Sequence, residues 1–552
     1  MYNKKRKEKE IFILAFQNHK NNKLNDAERL YKKIIKSNPN HFESNFFLGS
    51  LFAQKKKFLE AKKFLSKSIK INPNNTNAFH NLGIVFYELG EYKKGVVCSQ
   101  KAIQIQPYHP EAINNLGNLY KELRELGKSK NCFEKAIEIN SNNPKYYNNL
   151  GNIFKELGEL EKATTFYKKT IQIKPNHSNA YYNLGLVYKI LGNFQDAEIA
   201  YKNSLKYEPK NLITAYELVK LNEKFLNIDL KEEIEKILKE NYLNKKNMAY
   251  GNFLLSKYEL KNKNYKNEFK FLMNGHSYYF DSEMKKFKNG VNYWLNKLPN
   301  MKELNKFKNT ETLYKKLKPI FIIGVPRCGS TLIEKVIASG RNYIPTGEET
   351  GIFSKFVGEK INKKESFSKD KKKFQLEIYE NYKEKGLVQE KNSFFFTDKS
   401  LDNFFYITLI KEIFPSAKII NCKRKPLSSI ISIIKNNLRD VTWAHNLDHI
   451  FKFFDIYFKK TQYFKKKFPN FIYELEYEKF VENPEEESKK LFKFCNLKWD
   501  KKCLEFYKRK DLISQTASNI QIRKSIFKTG IKKYQPYEKL LVKYKSKYKW
   551  FI

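Results

Sequence analysis

Cysteine is scarce in this chain, six in 552 residues, and what is missing around the six is more telling than their number. Cys98, Cys132, Cys328, Cys422, Cys495 and Cys503 include no C-x-x-C pair and no companion histidines at zinc-ligand spacing, which argues against a disulfide framework and a zinc module. They read as buried or incidental thiols of a reducing compartment, and no metal is expected. His445 and His449 are four apart and are expected to share a helix face, which is half a metal site without a third ligand. Long apolar runs are missing too. The stretch from Ile11 to Phe16 is too short for a signal sequence and no stretch is long enough to span a bilayer, so a cytoplasmic protein without a transmembrane segment is the expectation. Acidic residues are outnumbered, 59 Asp+Glu against 106 Lys+Arg, and a net charge of +47 implies either an anionic partner or a compositional bias toward lysine. The lysines are spread over every segment and no nucleic-acid module signature is present, so dedicated nucleic-acid binding is disfavoured. Hydrophobic residues at 41% and aromatics at 15% exclude a disordered chain, and the length exceeds what one core supports.

What is present first is a period. Leu48-Gly49, Leu82-Gly83, Leu116-Gly117, Leu150-Gly151 and Leu184-Gly185 recur every 34 residues. Pro39, Pro73, Pro107, Pro175 and Pro209 keep the same register, with Ser141 in the one gap, and so do the small residues Ala27, Ala61, Gly95, Ser129, Ala163 and Ala197. A small residue lets a second helix approach a first closely, Leu-Gly packs at their contact, and Pro ends the second helix. Such a unit buries its apolar face only by stacking on neighbours. The pattern resembles the tetratricopeptide repeat, about six units from residue 8 within an array spanning 1–211. The class implies a groove for a peptide or protein, or an assembly role. Asn81, Asn115, Asn149 and Asn183, again in register, either grip a peptide backbone there or bond between helices. Residues 212–310 lose the register but stay helical, with a degenerate helix pair over 248–279, and read as a connector that caps the array.

The texture changes near Lys318. Pro319 to Gly324 is a buried-strand run, Thr331 to Ser339 has helical periodicity, and Gly324-Val-Pro-Arg-Cys-Gly-Ser-Thr331 lies between them. Strand, glycine loop and helix start make an anion cradle. The loop differs from that of nucleotide triphosphatases because Ser330 stands where the phosphate-binding lysine belongs and Arg327 enters instead. A second strand, Lys418 to Cys422, runs into Lys423 and Arg424 rather than into a magnesium-binding aspartate. A phosphate-bearing donor handled without a metal fits better than an NTPase.

Pro326-Arg327-Cys-Gly-Ser-Thr331, then Lys423-Arg424-Lys-Pro426 with Ser432 eight residues after Arg424, resemble the two nucleotide signatures of the sulfotransferase family. Gly347-Glu348-Glu349-Thr350, Asp398-Lys399, Tyr477 in Tyr-Glu-Lys-Phe-Val-Glu-Asn-Pro, and Thr516-Ala-Ser518-Asn-Ile-Gln521 followed by Lys533 are similar to segments of protein-tyrosine sulfotransferases and of bacterial sulfotransferases with fused tetratricopeptide repeats. The resemblance covers about residues 318 to 540. It implies an α-solenoid followed by an α/β P-loop-like sulfotransferase domain, 311–552, with a mostly parallel central sheet. It further implies 3′-phosphoadenosine 5′-phosphosulfate as co-substrate, held by Arg327, Cys328, Gly329, Ser330, Thr331, Arg424, Ser432, Tyr477, Ser518 and Lys533. Glu349 would be the general base, with Lys399 and Arg327 stabilising the transition state. Tyr534 replaces a tryptophan common at its place, and the spacing to Glu349 is one residue longer than in the protein-tyrosine enzymes, so Glu348 is a stand-in for that role. The acceptor would be a hydroxyl, a protein tyrosine being one option and an acidic peptide recruited by the repeat groove the matching partner. The alternatives are a carbohydrate or small-molecule sulfotransferase and a non-catalytic repeat scaffold that binds nucleotide. Oligomeric state is left open.

Overall fold

The computed structural model describes residues 2–240, 243–302, 304, 316–340, 344–363, 371–388, 394–509, 511, 525–526 and 534–551. Two compact units divide the chain, Met1–Pro209 and Lys210–Ile552.

The first unit consists of helix pairs. They are Tyr2–Lys20 with Leu24–Ser37 (α1, α2), Phe42–Gln54 with Phe58–Ile71 (α3, α4), and Thr76–Glu88 with Tyr92–Ile105 (α5, α6). Pro110–Glu122 with Leu126–Ile139 (α7, α8), Pro144–Leu157 with Leu160–Ile173 (α9, α10), and Ser178–Leu191 with Phe194–Tyr207 (α11, α12) continue the series. The repeated glycine is what lets each pair close. A Cβ on Gly117 would lie 2.7 Å from the Phe133 ring, one on Gly151 2.7 Å from Tyr167, and one on Gly185 2.6 Å from Tyr201, the ring in each case coming from the second helix of the same pair. Ala27, Ala61, Ala163 and Ala197 are fully buried, so dispersion contacts and burial of apolar surface hold the helices together. A further position keeps the 34-residue register: His41, Asn75, His109, Asn143 and His177 each accept a hydrogen bond from a first-turn backbone N–H of the following helix. Helix-start donors have no partner within their own helix, and an Nδ1 or Oδ1 acceptor satisfies one of them.

The recurring asparagines serve the architecture. Asn81 donates to Ser50, Asn115 to Ser99, Asn149 to Asn114 and Asn183 to Asn148, at 2.9 to 3.2 Å, so between the two expectations the structure shows inter-helix bonding.

The second unit opens with helices Leu212–Leu221 (α13), Ile228–Leu238 (α14), Lys245–Lys261 (α15), Tyr265–Ser282 (α16) and Met284–Asn292 (α17). The pair α15 and α16 is the degenerate pair expected over 248–279. A four-stranded, all-parallel sheet follows, in the order β2-β1-β3-β4: Ile320–Gly324 (β1), Thr397–Asp398 (β2), Lys418–Lys423 (β3) and Ile472–Glu476 (β4). Every residue of β1 is buried, as expected of an unbroken apolar strand in a parallel sheet. Helices Ser330–Ala338 (α18), Ile352–Lys363 (α19), Lys371–Glu384 (α20), Ile407–Ile413 (α21), Pro426–Asn436 (α22), Leu447–Lys467 (α23), Tyr477–Glu482 (α24), Pro484–Phe494 (α25) and Val542–Lys545 (α26) complete the α-helices among the described residues.

His445 and His449 do not share a helix face, contrary to expectation. His445 lies in the short turn Thr442–His445, and Asn446 starts a new helix by accepting from the His449 N–H. His445 turns instead to His276 of α16, with their Nδ1 atoms 3.0 Å apart. Among the described residues no cluster of three His, Cys, Asp or Glu is placed to hold a metal ion, and no helix is long and apolar enough to cross a membrane. All six cysteines are free thiols, and five of them are buried.

Candidate functional site

Because the four strands are parallel, their C-terminal ends lie along one edge, and the segments leaving that edge carry the residues singled out from the sequence. Arg327 follows β1, Lys399 follows β2, Arg424 follows β3 and Tyr477 follows β4.

The loop after β1 is shaped by two glycines. A Cβ on Gly324 would sit 2.7 Å from the Cys328 sulfur and 2.9 Å from the Cys422 carbonyl oxygen, and one on Gly329, whose φ is +99°, would run into the Tyr477 ring. Gly329 leads directly into α18, so the N–H groups of Ser330 and Thr331, both buried residues, face the loop where an anion is favoured. Cys328 turns its side chain inward, against Gly324 and Cys422. The thiol–thiol hydrogen bond holds Cys328 below its ordinary pKa and Cys422 well above. Only the backbone of Cys328 is therefore positioned to serve a ligand.

Arg327 adopts φ +70°, a left-handed conformation that costs a non-glycine residue energy and is found where surroundings enforce it. Its Nε donates to Ser432 Oγ on α22 at 3.0 Å, and its carbonyl accepts from Arg424 at 2.9 Å. The Arg424 guanidinium stacks on Tyr477, 4.6 Å from the ring centre, with the Tyr534 ring centre at 6.0 Å from the same group. Its Nε is buried without a hydrogen-bond acceptor among the described residues, although buried donors are nearly always satisfied. Two guanidinium groups, a hydroxyl, an aromatic face and a helix start thus converge on one place. Such a set suits a multiply charged phosphate ester.

Beside it lies a second cluster. The Lys399 ammonium is buried, 1% exposed, with one oxygen of Glu348 and one of Glu349 each at 3.5 Å. Burial pulls its pKa down, but the carboxylates of Glu348, Glu334 and Glu349 outweigh that and the net shift is upward, so the ammonium stays charged. Glu349, like Arg327, has a positive φ, +51°. The backbone around the pair is fixed from β2: Lys399 N–H donates to Gly347 O, Thr350 Oγ1 donates to Asp398, and Gly351 N–H donates to Ser400 Oγ. Asp398 also accepts from Tyr382, Ser400 N–H and Asn403, so its charge is balanced by four donors.

Two contributors were not singled out from the sequence. Glu334 on α18 is fully buried, bonded through one oxygen to Thr397 at 2.8 Å, and burial raises its pKa. Its signal was a lone acid in an apolar helix. Tyr382 carried no signal at all, one tyrosine being unremarkable among 36, and Tyr534, noted in the sequence only for standing in a tryptophan's place, proves to lie at the Arg424 guanidinium. Of the expected site residues, Arg327, Cys328, Gly329, Ser330, Thr331, Arg424, Ser432 and Tyr477 fall around the first cluster and Glu348, Glu349 and Lys399 in the second. Ser518 and Lys533 lie outside the described residues.

Comparison with known proteins gives matches to both halves of the chain. A model of the Sulfotransferase family matches residues 319–501. Models of the tetratricopeptide repeat match 20–76, 76–109, 110–143, 132–165, 151–192 and 178–211. A protein of Aquifex aeolicus (strain VF5) described as uncharacterized is 31% identical over 241 residues, covering 41% of this chain; the chain spans 31% of that relative's length. Solved structures similar to it include a thermophilic tetratricopeptide-repeat protein of Thermus thermophilus (16% identity, TM-score 0.29, 33% of this chain and 98% of that one). PilF of Pseudomonas aeruginosa is another (16% identity, TM-score 0.34, 39% of this chain and 97% of that one).

Proposed function

We propose, for a chain that joins tetratricopeptide repeats to a C-terminal sulfotransferase-family domain, that the edge where the four strands end binds 3′-phosphoadenosine 5′-phosphosulfate and transfers its sulfuryl group to an acceptor hydroxyl. The observation that carries the reading is the Arg424 guanidinium, stacked on Tyr477, bonded to the Arg327 carbonyl, and keeping a buried Nε with no acceptor among the described residues. An anionic oxygen is what such a group lacks.

In this reading Arg424, Ser432 and Tyr477 hold the 3′-phosphate and its ribose, and the Gly329–Thr331 backbone with Arg327 holds the 5′-phosphosulfate. Glu349 takes the proton from the acceptor hydroxyl as the new S–O bond forms on the face opposite the leaving phosphate. The old S–O bond breaks, and adenosine 3′,5′-bisphosphate leaves with the bonding pair. Lys399, charged and already buried, neutralises the oxygen on which that charge grows, an interaction strongest in the transition state. A protein or peptide acceptor is the reading we favour, with tyrosine the hydroxyl to try first, because repeat arrays of this class present protein-binding grooves and a net charge of +47 suits an acidic acceptor. Free thiols throughout suit a reducing compartment such as the cytoplasm.

Calorimetric titration with adenosine 3′,5′-bisphosphate tests the donor site. Wild type is expected to bind in the micromolar range and Arg424→Ala to lose at least about tenfold, the loss of one charge-assisted contact. No binding by folded wild type would overturn the donor assignment. Turnover on glycans but not on tyrosine peptides would move the acceptor to carbohydrate, and donor binding without transfer to any acceptor would leave a nucleotide-binding scaffold.

A further inference from the structure

The matched family segment begins at residue 319, yet the elements that bring Ser432 and Tyr534 beside Arg327 and Arg424 are fastened to a helix that lies before it. On α16, the Glu268 carboxylate is 2% exposed and makes two contacts. One oxygen stands 2.8 Å from the Lys435 ammonium of α22, and the other accepts from the Tyr537 hydroxyl. Lys435 in turn donates to the Tyr537 hydroxyl at 2.6 Å, and Tyr265, also on α16, packs edge-on against the Tyr537 ring at 5.5 Å. A second fastening lies two turns along, where His276 Nε2 donates to Ile434 O near the C-terminal end of α22 at 2.7 Å.

Both elements held by Glu268 reach the first cluster. Lys435 is three residues beyond Ser432, on the same helix face, and Ser432 is the residue that meets Arg327. Tyr537 is three residues beyond Tyr534, which stands at the Arg424 guanidinium, and the Tyr537 N–H donates to the Tyr534 carbonyl. We infer that Glu268 is a positioning residue for donor binding: from outside the sulfotransferase segment it ties the Ser432 helix to the Tyr534 turn and so sets their spacing around Arg424. This rests on the donor assignment above.

A buried ion pair is weak evidence of stabilisation, because desolvation offsets its attraction, but it is a good device for fixing one register between two elements. The role is also economical with respect to chemistry. Glu268 touches neither Arg327 nor Arg424, so any effect on the donor passes through α22 and the turn after Tyr534.

The test separates positioning from stability. In Glu268→Gln/Lys435→Met both buried charges are removed together, which avoids leaving one unpaired. Tyr537→Phe removes a single hydroxyl and is the milder variant if the first folds poorly. Each is titrated calorimetrically with adenosine 3′,5′-bisphosphate and with adenosine 5′-monophosphate, which has no 3′-phosphate, and its urea midpoint is recorded. Expected is a loss of about tenfold or more for the bisphosphate in the double variant, a smaller loss in the same direction for Tyr537→Phe, and little change for the monophosphate. Lys435→Arg, which keeps the pair, should bind the bisphosphate within about threefold of wild type. Unchanged bisphosphate affinity in folded variants, or equal losses for both nucleotides, would overturn the inference while leaving the donor assignment in place. Failure of the wild type to bind the bisphosphate would overturn both.

Discussion

Glu348 and Glu349 stand at the same distance from one ammonium but differ in exposure, 14% against 61% for their side chains. A base that receives a proton from an acceptor arriving from solvent has to be reachable, and Glu349 is the reachable one, while Glu348 is placed to hold Lys399. Glu349→Gln is therefore expected to bind adenosine 3′,5′-bisphosphate as wild type does and to lose about a hundredfold or more in kcat. Full activity would remove Glu349 from the mechanism and turn attention to Glu348. A second expectation concerns His276 and His445. His276 Nε2 must donate to a carbonyl, so in the neutral ring Nδ1 accepts from His445 Nδ1–H, and a proton added to His276 would set two N–H groups against each other. Burial lowers His276 to about 4, and burial together with His276 lowers His445. The unfolded chain then carries more protons from about pH 6.5 downward. Stability of the second unit is complete above that pH and declines as pH falls toward 4. Urea unfolding at pH 7 and pH 5 should show it, and His445→Phe, set among Tyr279 and Phe287, should flatten the dependence.

At the scale of elements, the loop between β1 and α18 shows how little freedom a binding turn has. Gly329 takes a φ that side chains rarely adopt, and it lies under the ring on which Arg424 stacks. Gly329→Ala should displace Tyr477 and weaken bisphosphate binding by about tenfold or more, the scale of a strain of about 1–3 kcal/mol, while the melting temperature changes by only a few degrees. Wild-type affinity in that variant would mean that the loop tolerates a wider path. The strand, loop and helix were legible in the sequence because each is a local pattern: an apolar run, two glycines, a periodic stretch. The helix-capping register His41, Asn75, His109, Asn143 and His177 was as regular as the Leu-Gly one but passed unread, since two residue types alternate there and either can supply the acceptor.

For the whole molecule, the compact unit that carries the sheet begins at Lys210 and includes the helices before that sheet. Contacts across α13 to α17 are made with buried charges: Arg439 pairs with Glu217, which is 2% exposed, and Lys435 with Glu268, while Gly290 packs against Thr442. A chain starting at Lys210 should fold and bind adenosine 3′,5′-bisphosphate with wild-type affinity, whereas one starting at residue 311 would lose Glu217 and Glu268, the carboxylates paired with Arg439 and Lys435, and should be largely unfolded or donor-blind. Removing one member of a buried pair typically costs about 3–5 kcal/mol, and here two pairs are lost together. Circular dichroism and titration of the two truncations decide this. Equal behaviour would show that the helices before the sheet are dispensable. Turnover on a peptide acceptor should fall in the chain starting at Lys210 if the repeats recruit it.

By itself the sequence determined the repeat period and the strand–loop–helix cradle that starts at Pro319, and it offered residues for the chemistry, because a solenoid and such a cradle are both written by contacts between near neighbours along the chain. Only the tertiary structure decided that Asn81 and its equivalents bond between helices, that His445 answers His276 rather than His449, and that Glu268 reaches the Ser432 helix. Those pairings join residues tens to hundreds of positions apart, and no periodicity or spacing records which distant side chain a buried polar group will meet when the chain closes.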